Sequence, residues 1–107
     1  MNYEKNDLSL RISDPSGETR YSPLPFGAPH SIGRKIGDSI LLRDPTLPDA
    51  LGRIEFRECP SRGLSPWLIL APTSPSASLA AIPVREAMLP FGIELKIGET
   101  TLTLEKN

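Results

Sequence analysis

Proline constrains this chain more than any other residue. Twelve prolines are spread from Pro15 to Pro90. Each fixes its own φ, lacks an amide donor and clashes with the preceding helical turn. Only residues 77–88 have helix-friendly composition, and Pro83 lies inside that stretch. Long helices are thereby excluded, and the chain has to be built from short extended pieces.

Those pieces are visible. Leu8, Leu10 and Ile12 alternate with Ser9 and Arg11, and Asp14-Pro15-Ser16-Gly17 then supplies a turn after which residues 18–22 can pair back. Residues 31–34 and 39–42 are short apolar pieces separated by Lys35-Ile36-Gly37-Asp38. Residues 53–58 alternate, residues 67–70 form a continuous apolar run, and Gly98-Glu99 joins two alternating segments as a hairpin. Residues 71–81, rich in Ser, Pro and Ala, read as one long loop. About eight to ten short strands at near-regular spacing predict an all-β sandwich. One domain over residues 8–105 is expected, with tails at 1–7 and 106–107.

At 38% hydrophobic and 6% aromatic residues, the core has to come from Leu, Ile and Val, with help from Tyr21, Phe26, Phe56, Trp67 and Phe91. A net charge of −1 argues against nucleic acid as the main partner, since phosphate-backbone binders carry a cationic excess. The same low charge leaves homo-oligomerisation through edge strands open. No apolar stretch reaches membrane-spanning length and the N-terminal residues carry no signal-like run, so a cytoplasmic location without membrane insertion is expected. The lone Cys59 makes no disulfide and suits a reducing compartment. His30 and Cys59 form neither a zinc set nor a catalytic dyad, and no carboxylate pair or phosphate-cradling glycine loop is identifiable. No metal, cofactor or catalytic residue is expected, and His30 reads as an ordinary loop histidine.

Taken in order, His30-Ser31-Ile32-Gly33-Arg34, Ile40-Leu41-Leu42-Arg43-Asp44-Pro45 and Arg53-Ile54-Glu55 resemble the front half of a forkhead-associated (FHA) domain. Residues 84–89, Gly92, residues 95–98 and residues 101–104 resemble its last strands. The resemblance implies an FHA-like (SMAD/FHA-type) β-sandwich of about ten to eleven strands whose loops at one end clamp a phosphothreonine peptide. It implies a non-enzymatic module for a protein or peptide partner. In bacteria such modules occur alone, in transcriptional activators and in secretion-system scaffolds.

The resemblance also assigns residues. Arg34 takes the place of the phosphate-binding arginine. The Ser-x-x-His segment falls on Pro48-Asp49-Ala50-Leu51, so Pro48 replaces the serine and Leu51 the buttressing histidine. Asp49 adds a charge that repels phosphate. Residues 74–78 stand in the later recognition loop, with Ser76 in the asparagine slot, and Ile93 replaces an aspartate after Gly92. Each missing charge-assisted hydrogen bond costs about 1.5–3 kcal/mol. The pattern therefore predicts phosphate-independent docking, with a weak phosphothreonine reader built on Arg34, Ser74 and Ser76 as the alternative and a small enzyme or enzyme regulatory subunit as a third reading that lacks any catalytic constellation. An Arg34–Asp49 ion pair is expected where the phosphate would sit.

Overall fold

A computed structural model describes residues 8–25, 28–61 and 63–106. Eleven strands occur among them: β1 (Leu8–Ser13), β2 (Thr19–Pro23), β3 (His30–Gly33), β4 (Ile40–Leu41), β5 (Ala50–Cys59), β6 (Gly63–Leu70), β7 (Ala77–Leu79), β8 (Ile82–Val84), β9 (Glu86–Met88), β10 (Glu94–Ile97) and β11 (Thr100–Lys106). One sheet has the order β2-β1-β11-β10-β7-β8 and the other β4-β3-β5-β6-β9. All pairings between these strands are antiparallel except β3 with β4.

Alternation decides which side chains lie between the sheets. Leu8, Leu10 and Ile12 on β1 face inward together with Leu102 and Leu104 on β11, Leu95 and Ile97 on β10, Ile54 on β5 and Leu68 on β6, all buried. Among the described residues, the fully buried hydrophobic side chains are all aliphatic. The expected aromatic share of the core is met only at its margin, by Phe56. Tyr21 is 62% exposed and Phe91 39% exposed, and Trp67 lies beneath the Arg57 guanidinium, 5.1 Å from its ring centre. Phe56 packs against the core from its margin, and Phe26 falls outside the described residues.

Two turns match expectation. Gly17 donates to the Asp14 carbonyl at 3.1 Å, and Gly98-Glu99 separates Ile97 from its partner Thr100. The stretch read as a single loop, 71–81, is instead interrupted. Residues 71–76 are loop, but β7 and β8 form a hairpin closed by Ala80 and Ala81, both with positive φ (51° and 67°). Two-residue hairpins demand that conformation, and alanine does not advertise it. β11 continues to Lys106, which pairs with Leu8, so the last strand runs into residues assigned to the tail.

The topology sorts the loops by end. β3 and β4 run in parallel toward one end, here the apex, where β5 begins. The turn after β1, the 34–39 and 42–49 loops, the 71–76 loop, the β8–β9 junction and the Gly98-Glu99 turn all lie there, because the strands bearing them are paired in register. Leu8 and Lys106 lie at the opposite end.

Candidate functional site

Buried carboxylates organise the apex. Asp44, with no exposed surface, accepts bonds from the Thr46 amide (2.9 Å), the Thr46 hydroxyl (2.6 Å), the Glu99 amide (2.8 Å) and the Thr100 hydroxyl (2.8 Å). It ties the 42–49 loop to the β10–β11 turn. Burial works to raise its pKa, but these four bonds outweigh it and hold the carboxyl below its ordinary value. Asp14 acts similarly on the neighbouring turn. It accepts from the Arg20 guanidinium (2.7 Å), the Arg43 amide (2.9 Å), and the amide and hydroxyl of Ser16. Burial opposes ionisation there too, yet the hydrogen bonds bring Asp14 down to about 2.

Arg34 leaves β3 at the apex. Its amide donates to the Asp49 carbonyl (2.8 Å) and its Nη1 to the Leu47 carbonyl (2.9 Å), with Asp49 Oδ1 3.8 Å away. The expected pair with Asp49 is therefore present. With side-chain exposures of 36% and 69%, it contributes at most about 1 kcal/mol. Gly33, before Arg34, has no room for a side chain: a Cβ would collide with the Asp38 carboxylate and the Asp49 carbonyl. The Ile-Gly-Arg sequence thus has a packing reason apart from any ligand. Asp38 caps the Lys35 amide (3.0 Å) and its own amide returns to the Lys35 carbonyl (2.9 Å). That tight turn carries Ile36 at its tip, 94% exposed.

The remaining predicted residues divide. Pro48 is half-buried beside Leu47, whereas Leu51 is fully buried within the hydrophobic core. Ser74 is only 4% exposed; its hydroxyl donates to the Pro75 carbonyl (3.0 Å) and its amide to the Ala71 carbonyl (2.9 Å). Both of these bonds stay within the 71–76 loop, so Ser74 serves the loop's own structure in this chain. Ser76 is exposed and accepts a 3.4 Å bond from Arg85. Ile93 is 46% exposed at the end opposite the apex, just before β10 begins.

Arg85 is the apical residue that reading the sequence missed. It stands between β8 and β9, with Nη2 donating to the Ala71 carbonyl (2.8 Å) and reaching the Pro72 carbonyl (3.5 Å). In the sequence it looks like one more residue of a strand, and nothing there signals that the strand ends beside the 71–76 loop. Arg34 follows β3 and Arg85 precedes β9, three inter-strand steps apart in the order β3-β5-β6-β9. At the usual spacing this places their backbones about 14 Å apart.

Away from the apex, His30 Nε2 is bonded to the Pro25 carbonyl (2.8 Å) and its ring meets Phe56 edge-on at 6.4 Å. On the outer face of the five-stranded sheet, Arg57 bonds Glu55 (2.8 Å) and Glu86 (3.4 Å). The Arg57 bond, with help from Arg53, lowers the Glu55 pKa. A shallow groove of about 230 Å³ lies on the other sheet, lined by residues that include Arg11, Tyr21, Glu94 and Thr103. The Cys59 side chain and Arg62 lie outside the described residues. Among the described residues no three His, Cys, Asp or Glu side chains cluster as metal ligands, and no helix is long and apolar enough to cross a membrane.

Two sheets of six and five strands, with the loops gathered as above, define an FHA-like β-sandwich. The chain resembles the Slr1951 protein from Synechocystis sp. with a TM-score of 0.80 at 17% identity, covering 94% of this chain and 99% of that one. It also resembles the FhaA FHA domain, solved in complex with the intracellular domain of Rv3910 (TM-score 0.70, 22% identity, 91% and 98% covered). A third likeness is to the FHA domain of yeast Dun1 in complex with a doubly phosphorylated peptide (TM-score 0.68, 12% identity, 99% and 79% covered). No family model and no curated protein matches the sequence.

Proposed function

We propose that this chain is a non-enzymatic interaction module that docks a protein partner through its apical loops without needing phosphate. Such a role fits a bacterial signalling, transcriptional or secretion assembly. The observation that carries this reading is the environment of Arg34. Its fork is engaged by the Leu47 carbonyl and faces Asp49, and Pro48 offers neither hydroxyl nor amide beside it. A dianionic phosphate there would meet one guanidinium already facing a carboxylate. The solved FhaA and Dun1 complexes support docking of protein or peptide on this fold.

The second reading, a weak phosphothreonine reader, rests on the exposure of Arg34 and Ser76. Calorimetric titration with phosphothreonine peptides and their unphosphorylated counterparts separates the two. The expected result is no phosphate-dependent heat. Micromolar binding that requires phosphate and disappears in Arg34→Ala would overturn the proposal.

A further inference from the structure

The apex holds two arginines whose backbones lie about 14 Å apart across the sheet and whose guanidinium groups have mostly neutral carbonyls as their closest acceptors. Arg34 spends one N–H on Leu47, and Arg85 uses its two terminal nitrogens on Ala71, Pro72 and Ser76. A guanidinium has five N–H donors in a planar fork that matches a carboxylate. Each arginine is therefore oriented by the backbone while keeping donors for an incoming anion. Asp49 sets the kind of anion. At 3.8 Å from Arg34 it offsets part of the positive field, which disfavours a dianion more than a monoanion. Spanning 14 Å takes about four residues of extended chain.

From this charge arrangement we infer that the apex binds an extended acidic peptide, one carboxylate on Arg34 and a second, about four residues away, on Arg85. The inference rests on the phosphate-independent reading and names the chemistry of its partner. Ile36, 94% exposed on its capped turn beside Arg34, offers an apolar contact next to the first carboxylate. Lys35 adds positive charge at the same tip, while Asp38 faces inward onto the Lys35 amide.

The test uses fluorescein-labelled twelve-residue peptides in a Ser/Thr/Val background. Two glutamates are placed at separations from two to seven residues. Controls carry glutamine at both positions, or phosphothreonine in place of the first glutamate. Fluorescence polarisation is read at low and at physiological salt with the whole chain. Binding should peak at a separation near four and weaken with salt. It should fall about threefold to tenfold in Arg34→Gln and again in Arg85→Gln, changes that remove the charge and the fork but keep a side-chain amide that can donate to a carbonyl. Thermal melts confirm that both variants remain folded. Equal binding of the glutamine peptides, no preference in separation, no binding at all, or indifference to Arg85→Gln overturns this inference and leaves phosphate-independent docking standing. Tighter binding of the phosphothreonine peptide, lost in Arg34→Gln, overturns both.

Discussion

Replacing Asp44 with alanine removes an acceptor on which four donors converge: the amides of Thr46 and Glu99 and the hydroxyls of Thr46 and Thr100. Hydrogen bonds to a charged group contribute about 1.5–3 kcal/mol each, but bonds sharing one acceptor are not additive. The Thr46 groups lie near the surface and can turn to water. Thr100 is fully buried and cannot. Leaving its hydroxyl and the Glu99 amide without acceptors is expected to cost about 3–5 kcal/mol, a large part of the 5–15 kcal/mol typical of a domain. Asp44→Asn should cost less, about 2–3 kcal/mol, because one oxygen still accepts from one side of the pair. Urea unfolding at pH 7 measures both, the alanine variant shifting its midpoint by 1 M or more at m-values of about 1–3 kcal/mol/M. The Asp44 carboxyl is depressed in the folded chain. Its contribution is therefore complete above its unfolded pKa of 3.8 and lost as pH falls through the folded value, so wild type and Asn variant should converge in acid. A loss below about 1 kcal/mol in the alanine variant, with m unchanged, would show that water satisfies these donors and would refute the reasoning.

Three further outcomes are expected. Asp14, brought from 3.8 to about 2, should contribute on the order of 2 kcal/mol above pH 4 and lose it as pH falls toward 2, a drop that Asp14→Ala should abolish in urea midpoints compared across that range. Gly52→Ala should lose about 3 kcal/mol or fail to fold, because the added Cβ would strike the Ile69 carbonyl and come within 2.9 Å of Leu70 Cα; a soluble variant with an unchanged melting temperature contradicts the packing. Ala81→Gly should stabilise by about 0.5–1 kcal/mol, since glycine takes a positive φ without the cost an alanine bears, and calorimetry should show a rise of a few degrees.

The strands were legible because inward and outward residues alternate, and the Asp14–Gly17 and Gly98-Glu99 turns because their residues carry turn chemistry. The β7–β8 hairpin was not, since Ala80 and Ala81 hold positive φ through their place between paired strands rather than through their own preference. The aromatics misled for a related reason. A sandwich strand offers two faces, and Tyr21 pairs with Arg11 on the outer one. Leu51 was visible as a missing histidine but not as a core residue, which needs the β-bulge where β3 meets β5. Ser74 and Ser76 are indistinguishable as letters, two positions apart in the same loop, yet one is buried and the other exposed.

That division bears on how the apex works. The residues that shape it are carboxylates directed inward: Asp14 and Asp44 accept backbone and hydroxyl donors, and Asp38 caps a turn. They fix three loops without using Arg34 or Arg85. Changing a partner's charge at the apex therefore does not require changing the scaffold, and weakening the scaffold acts on every partner alike. Stability and recognition should then separate in measurement. Substitutions at Asp44 move the unfolding midpoint, and substitutions at Arg85, whose side chain touches only exposed loop groups, move binding while leaving the midpoint within about 0.5 kcal/mol. An Arg85→Gln variant that unfolds as easily as Asp44→Asn would place that guanidinium in the scaffold and remove it from the binding surface.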